Sequence, residues 1–351
     1  EFTLKYLLIN CLCCLILLYS HMEKDKQLGF ADLLYTARKS KEDFFAQINT
    51  VIDWKAIDKE IRKYYRKGLS ATGSPSWDGL VLFKMCLLQT WYGLSDYEIE
   101  EQVNDRISFS KFVGISLEVN SPDHSVLSRF RSELTYKKGF DKVLNAVNKQ
   151  LISHGIMVTS GVIVDASISD TLRKPKGKKE YQAVEDRQEA DNTEVKTTTS
   201  KLIELVKPGV DTQAKWIRKA GKLRYGYKQH TATDENGLVR AIVTTSANQS
   251  DIKHLEDVLE KIELQPKAWV KADKGYKSQE NDDVLSKKNL KNHILRKAYK
   301  NKPLTHNELK FNKLISKTRY KVERTFGSIK RWFKSGTARY VGLEKMHTQH
   351  L

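Results

Sequence analysis

The chain has 351 residues, of which 40% are apolar, so it is long enough for about two domains with a core in each. Lys and Arg number 61 against 43 Asp and Glu, which gives a formal charge of +18. Such an excess favours a polyanionic partner such as DNA, RNA or an anionic membrane surface. The four cysteines show neither a disulfide framework nor a paired-cysteine metal site, which is typical of a reducing cytoplasm.

The first 21 residues differ from the rest of the chain. Residues 6–20 form an apolar run of fifteen, shorter than the roughly 18 to 20 residues that cross a bilayer. Only Lys5 supplies a positive charge before the run, and no small-residue cleavage site follows it. Met22 then begins a stretch typical of a cytosolic start. We therefore interpret residues 1–21 as upstream translation or a gene-model artefact and expect no membrane association; a membrane anchor is the alternative.

Helical patterning covers residues 22–155. Leu80, Phe83, Leu87 and Trp91 recur at three- and four-residue steps, which predicts an apolar stripe along one helix. The residues expected to begin or end the helices are Ser95 or Asp96, Ser108, Gly114, Asp123 and Gly155.

The last of these short helices carries Arg129 and Arg131, which we expect to point outward. Short helices in this order suit a helix-turn-helix-like DNA-binding domain whose last helix enters the major groove. A plain helical bundle fits the same pattern, so both interpretations stay open.

Beyond residue 155 the apolar period becomes that of strands. The predicted strands lie in GVIVDASI, LRYGYKQHTATDENG, LVRAIVTTSANQSD, AWVKAD and HILRKA, and helices are predicted in HLEDVLEKIEL, NDDVLSKKNL and residues 311–333. Asn236 and Gly237 tolerate positive φ and favour a hairpin between the second and third strands. The pattern predicts an α/β domain over residues 156–351 with a mixed five-stranded sheet flanked by helices.

The segment from 170 to about 215 does not fit that pattern. It is charged, rich in Thr and nearly without apolar period, so we predict an inserted mobile loop with at most one short helix. Its basic run RKPKGKK either contacts a phosphate backbone or is a basic tether.

Three carboxylates have surroundings that suit metal-dependent phosphoryl transfer. Asp165 and Asp273 each end a short apolar run, where open α/β sheets place their ligands. Glu323 lies on the predicted long helix. Two Asp and one Glu are hard oxygen ligands that suit Mg²⁺ or Mn²⁺, and two such ions can catalyse in-line displacement at phosphorus. Each Asp taken alone could instead cap a loop.

Positive charge is concentrated around Glu323. Residues 291–334 contain fourteen Lys or Arg and two acids. Arg319 and Lys330 fall within about 40° of Glu323 on a helical projection. An ordinary ion pair between Arg319 and Glu323 is the alternative, but it leaves the other cations unexplained. The candidates for DNA contact on this helix are Arg319, Arg324, Lys330 and Arg331.

The ordered blocks of the chain resemble a DDE transposase of a bacterial insertion sequence, in the broad group that includes the insertion sequence five family. SWDGLVLFKMCLLQTWYGLSDYEIEEQVNDRISFSKFVGI and SPDHSVLSRFRSEL resemble its N-terminal domain. GVIVDASI, KWIRKAGKLRYGYKQHTATDENGLV, TTSANQSD, VKADKGY and RYKVERTFGSIKRW resemble successive blocks of its catalytic domain. The family signature Tyr-x2-Arg-x3-Glu-x6-Lys is met by Arg319, Glu323 and Lys330, with Ser316 at the Tyr position.

The resemblance implies a ribonuclease H-like core with Asp165, Asp273 and Glu323 as the catalytic metal ligands of two Mg²⁺ or Mn²⁺ ions. It implies hydrolytic cutting at the terminal inverted repeats, followed by joining of the 3′-hydroxyl ends to target DNA by a homodimer or larger complex. The segment from Arg339 resembles the start of a closing segment that usually continues into a further helix, so a shortened copy is expected. A DNA-binding protein without catalysis and a nuclease that cannot join ends are the alternatives.

Overall fold

A computed structural model describes residues 44–66, 76–177, 180–186, 199–205, 207–300 and 302–351. The apolar run at residues 6–20 lies outside these ranges. Within them, no helix combines the length and apolar character needed to cross a membrane.

Helices make up the first part of the described chain. They are α1 (Phe44–Val51), α2 (Trp54–Tyr64), α3 (Gly79–Tyr92), α4 (Asp96–Asp105), α5 (Ile107–Val113), α6 (His124–Tyr136) and α7 (Gly139–Ser153). Ser95 begins α4 with a capping box, and Asp123 caps α6 through the Ser125 N–H, as predicted. Gly114 ends α5 in the left-handed conformation, also as predicted.

The apolar pattern of α3 is broader than predicted. Leu82, Met85 and Leu88 are fully buried together with Phe83, whereas Leu80 and Leu87 are only half-buried. The helix is surrounded by others, so it buries nearly its whole circumference rather than one stripe.

A six-stranded mixed sheet forms the second part. Its strands are β1 (Gly161–Asp170), β4 (Lys215–Lys219), β5 (Lys222–Thr233), β6 (Val239–Ser246), β7 (Trp269–Ala272) and β8 (Lys291–Ile294), and a separate two-stranded sheet contains β2 (Glu180–Asp186) and β3 (Thr199–Leu205). The second half of β5 lies between β1 and β6, and its first half pairs with β4. β5 pairs antiparallel with β1, β4 and β6. β7 pairs parallel with β1 on one side and with β8 on the other.

Two sequence predictions are wrong here. The sheet has six strands rather than five, because β4, at the end of the inserted segment and just beyond it, pairs with the start of β5. The segment from 170 to about 215 is also not a loop throughout, since β2 and β3 form a hairpin in register from Glu180–Leu205 to Asp186–Thr199. Backbone pairing orders these residues although their sequence lacks an apolar period.

Helices cover both faces of the sheet. α8 (Leu255–Glu260) and α9 (Gln279–Lys287) share a core with β1 and β7 on one face. α10 (His306–Trp332) lies on the other face, where Val322 and Phe326 pack on Ile163. α10 begins five residues before the predicted start, because Thr305 and Glu308 form a capping box.

The last helix, α11 (Leu343–His350), joins the helical part to the sheet. Thr348 hydrogen-bonds to Thr135 of α6 at 2.8 Å. On the other side, His350 Nδ1 lies 2.8 Å from Thr244 Oγ1 of β6, and Nε2 lies 2.9 Å from Ser169 Oγ of β1. The helical part is therefore held against the strands that carry the candidate site.

Candidate active site

The register of β1 against β7 brings two of the predicted carboxylates together. The parallel pairing runs from Gly161–Trp269 to Val164–Ala272. Asp165 and Asp273 are the next residue on each strand, and neighbouring strands lie about 4.8 Å apart. The prediction that Asp165 ends its strand is wrong, because antiparallel pairing with β5 continues β1 to Asp170.

Arg319 of α10 lies among all three predicted carboxylates. Its Nη2 is 3.1 Å from Asp165 Oδ2, and its Nη1 is 3.3 Å from Asp273 Oδ1. The same Nη2 lies 3.6 Å from Glu323 Oε1, one helical turn further along α10. The structure thus brings together carboxylates from two strands and a helix that are up to 158 positions apart in sequence.

The three carboxylates differ in exposure. The side chain of Asp165 is 19% exposed, that of Asp273 37% and that of Glu323 62%. Burial raises the pKa of Asp165, while the Arg319 charge and the Ala166 N–H lower it and the Asp273 charge raises it further. The site is therefore an acidic cleft with one deep and two open carboxylates.

A buried aromatic layer lies beneath the cleft. Tyr276 is 1% exposed, and its hydroxyl lies 3.3 Å from His230 Nδ1. Burial, followed by the charges of Asp251, Asp165 and Asp273, raises the pKa of Tyr276 well above its ordinary range. Burial lowers the pKa of His230 to about 3, so both groups are neutral at pH 7.

The residues of the cleft fit a divalent metal ion. Their donor atoms are carboxylate oxygens, which Mg²⁺ and Mn²⁺ prefer. The Arg319 guanidinium lies where a cation would contact Asp165, Asp273 and Glu323. Its Nε is buried without a hydrogen-bond partner among the described residues. The guanidinium thus occupies a position between the three carboxylates at which a bound cation would also be stabilised.

Lys330 lies at a different place from the carboxylates. Its side-chain stem faces Gly336, whose carbonyl accepts the Asp170 N–H at the far end of β1. Burial lowers the pKa of Lys330, and the charges of Arg224 and Lys219 lower it further. The structure therefore separates Lys330 from Arg319, although the sequence predicted that both flank Glu323.

The other two predicted cations of α10 lie on its exposed side. Arg324 is exposed next to Glu323 in sequence. Arg331 is exposed as well, and its guanidinium lies 5.2 Å from the ring centroid of Trp332. Both are positioned to meet a partner from solvent.

The two arginines of α6 have different environments. Arg129 is exposed, and among the described residues it hydrogen-bonds to Ser125 of its own helix alone. The prediction that Arg131 also points outward is wrong, because its side chain is 12% exposed and pairs with Asp96 at 2.7 Å. Tyr340 covers the same guanidinium. Arg131 thus joins α6 to α4 and to the segment before α11.

A second group of possible metal ligands has a structural explanation. Ligand atoms of Glu100, Asp123 and His124 lie within 4.8 Å of one another. Asp123 caps α6, however, and the His124 backbone N–H donates to Glu100 at 2.8 Å while its Nδ1 lies 2.9 Å from the same oxygen. These contacts fix the start of α6.

Comparisons with known proteins identify the family of the chain. Residues 157–351 match the family described as Transposase DDE domain, and residues 34–133 match Transposase domain (DUF772). The chain belongs to the DDE transposase family. It is 39% identical over 224 residues to the transposase for insertion sequence element IS1106 of Neisseria meningitidis serogroup B, covering 63% of this chain and 72% of the relative. No solved structure matches the chain.

Family membership makes the transposase an enzyme of DNA transposition that uses a divalent metal ion. The sequence prediction of an insertion-sequence transposase is therefore confirmed, although the particular family within that group is not.

Sequence reasoning missed the cations that surround Lys330. They lie on the β4–β5 hairpin, in KWIRKAGKLR, where five of ten residues are basic and none is acidic. That basic composition, together with the two-residue Ala220–Gly221 turn, is the sequence signal that could have predicted a cationic hairpin.

Proposed function

We propose that the chain cuts DNA at the terminal inverted repeats of its insertion sequence and joins the freed 3′-hydroxyl ends to target DNA. The observation that carries this proposal is the convergence of Asp165, Asp273 and Glu323 on Arg319. A ribonuclease H-like core is supported by the strand order β6-β5-β1-β7-β8, with Asp165 on the central strand and Asp273 directly after its parallel neighbour.

Asp165, Asp273 and Glu323 would hold two Mg²⁺ or Mn²⁺ ions. When bound, such ions activate an attacking oxygen and stabilise the leaving oxygen of an in-line displacement. Because Asp165 is the deepest of the three, it fixes the floor of the cleft, and the exposed Glu323 leaves the cleft open to DNA.

Arg319 has two successive roles in this proposal. In the first, its single positive charge pairs with the three carboxylates. When metal ions take over that charge, its guanidinium becomes free to bind a phosphate oxygen at the cleft. Arg324, on the exposed side of the same helix, would contact the DNA backbone nearby.

The reaction needs no protein nucleophile and no further reactant. In the first step, water attacks phosphorus and the bond to the 3′ oxygen breaks, which leaves a 3′-hydroxyl. In the second, that hydroxyl attacks a target phosphodiester and displaces another 3′ oxygen, so one bond forms for each bond broken. Joining two ends to one target requires a homodimer or larger complex.

DNA recognition by the helical part is a further element of the proposal. α4, α5 and α6 are short consecutive helices, and the exposed Arg129 near the start of α6 is free to contact DNA in a helix-turn-helix-like arrangement. The burial of Arg131 limits this surface to the N-terminal half of α6.

The test is an assay of the full chain with Mg²⁺ and labelled terminal-repeat DNA. Wild type is compared with Asp273→Asn and with Asp283→Asn, which changes an exposed carboxylate on α9. We expect cleavage and joining by wild type and by the control variant, and neither by Asp273→Asn. Cleavage by Asp273→Asn at the wild-type rate contradicts the assigned site. Cleavage without joining favours a nuclease, and binding without cleavage favours a DNA-binding protein.

A further inference from the structure

The β4–β5 hairpin carries positive charges that do not pair with the carboxylates of the cleft. Lys219 pairs opposite Lys222, and the two are joined by Ala220 and Gly221 with φ of +51° and +75°. Positive φ at both positions is typical of the tight turn that matches strand twist. The tip is therefore a rigid hairpin end.

Strand alternation sorts the hairpin side chains onto two faces. Residues directly opposite each other share a face, so Lys215, Ile217, Arg224, Lys219 and Lys222 lie on one face. The opposite face carries Trp216, Tyr225, Arg218 and Leu223. Four of the five side chains on the first face are cationic.

Only Arg224 on this cationic face has an acidic partner among the described residues. Arg224 forms a bidentate pair with Asp170, at 2.6 Å for its shortest contact. Lys215, Lys219 and Lys222 are exposed and have no acidic partner among the described residues. Like charges directly opposite each other, as in Lys219 and Lys222, destabilise a strand pair. An external anion would remove that repulsion.

The hairpin is continuous with the catalytic helix. The Lys330 stem contacts the segment at Gly336, and that segment is hydrogen-bonded to Asp170, the partner of Arg224. Lys330 lies seven residues beyond Glu323, about 10 Å along α10. Asp170 lies five residues beyond Asp165, about 16 Å along β1.

We propose that Lys215, Lys219, Lys222 and Lys330 form one surface that binds the phosphate backbone of double-stranded DNA beside the cleavage site. With a rise of about 3.4 Å per base pair, Lys330 and Lys215 reach phosphates about three to five base pairs from the phosphodiester in the cleft. Lys219 and Lys222 lie further out, because Lys222 is nine residues along β5 from Thr231, the partner of Asp165, so they reach phosphates up to about nine base pairs away. The surface supplies salt-dependent affinity and holds the register of the DNA, and it does not read bases. The proposal rests on the DNA-cutting function proposed above.

The test is the salt dependence of duplex binding by the full chain, measured in EDTA so that no cleavage occurs. Each lost phosphate contact lowers the slope of log K against log salt concentration by about 0.9. The double variant Lys219→Ala/Lys222→Ala is therefore expected to lower the slope by about 1.8. Lys219→Arg/Lys222→Arg keeps the charge and is expected to keep the slope.

The matched control is Lys287→Ala/Lys288→Ala, which removes two exposed charges at the end of α9, across the sheet from α10. It is expected to leave the slope unchanged. Hydroxyl-radical protection of the duplex is expected to weaken about five to nine base pairs from the cleavage site in the hairpin variant alone. Melting temperature checks folding, and it is expected to stay constant or rise as the repulsion between Lys219 and Lys222 is removed.

Equal slopes for the hairpin and control variants would overturn this surface while leaving the proposed function intact. A wild-type chain that binds no duplex would overturn the proposed function and the surface together. A lower slope and weaker protection in the hairpin variant alone support the proposal.

Discussion

Asp165 and Asp273 are the first residues beyond the parallel pairing of β1 with β7, one on each strand. The backbone hydrogen bonds of the sheet therefore fix the spacing of the two carboxylates, whatever the side chains around them do. Two like charges held this close are stabilised by a cation between them, and the Arg319 guanidinium lies there. The same electrostatic need suits this position to the divalent ions proposed above.

Replacing Arg319 is expected to destabilise the metal-free protein. Arg319→Gln leaves three carboxylates without their cation, which should lower the free energy of unfolding in EDTA by about 1 to 3 kcal/mol. Mg²⁺ should reduce that loss, because bound ions supply the missing charge. Urea unfolding with and without Mg²⁺ measures both effects. The control is Arg324→Gln on the exposed side of α10, and equal stability of the two variants in EDTA would contradict this role.

The two arginines of α6 are expected to respond differently to substitution. Arg131→Ala removes the largely buried partner of Asp96 and should lower the free energy of unfolding by about 1 to 3 kcal/mol. Arg129→Ala should change stability by less than about 0.5 kcal/mol and weaken duplex binding. Thermal unfolding and binding titrations separate the two effects. A stable Arg131→Ala protein would show that this ion pair does not hold the helices together.

The sequence predicted most strands of the six-stranded sheet because their signals are local: apolar runs, turn residues and blocks in order. The same local signals singled out Asp165, Asp273 and Glu323, whose role as metal ligands stays a prediction. Arg131 was misjudged because its partner Asp96 lies 35 residues away and no local pattern reports that contact. β4 was not predicted because it is an exposed, cationic strand, and its sequence lacks the alternation of apolar and polar residues that indicates a strand. Asp165 was placed at a strand end because the apolar run stops there, whereas pairing with β5 continues.

Close backbone approach at β5 makes one glycine irreplaceable. A Cβ at Gly226 would lie 2.0 Å from the Ser169 carbonyl oxygen, so Gly226→Ala should lower the free energy of unfolding by about 3 kcal/mol or more. The matched control is Gly327→Ala in α10, where a Cβ meets nothing within 4 Å. That change should raise stability by up to about 1 kcal/mol, since Ala favours helix. Chemical denaturation of both variants gives the comparison, and equal effects would refute it.

His350 should make the junction at α11 sensitive to acid. Burial, with smaller effects of His347 and Lys330, lowers its pKa from 6.5 to about 3. The unfolded chain therefore takes up the proton first, so the stability present above pH 6.5 is lost as pH falls toward 3. Ser169 and Thr244 face the neutral ring from β1 and β6.

The measurement is the free energy of unfolding between pH 6 and pH 4 for wild type and His350→Gln. The free energy of unfolding should rise with pH more steeply in wild type than in His350→Gln, by about 1.4 kcal/mol per pH unit, which is the contribution of one proton. His230, whose pKa is also lowered to about 3, keeps a slope in both proteins and serves as an internal reference. Identical slopes would mean that His350 is not held neutral in the folded chain.

Mn²⁺ binding, measured by electron paramagnetic resonance, tests most directly whether Asp165, Asp273 and Glu323 form a single metal site. The measurement needs neither DNA nor turnover. Wild type, Asp165→Asn, Asp273→Asn and Glu323→Gln are titrated beside the control Asp283→Asn. We predict that each of the three variants weakens Mn²⁺ binding by more than about tenfold while the control binds as wild type does. Wild-type affinity in any of the three would contradict the assignment of that residue, and wild-type affinity in all three would contradict the site.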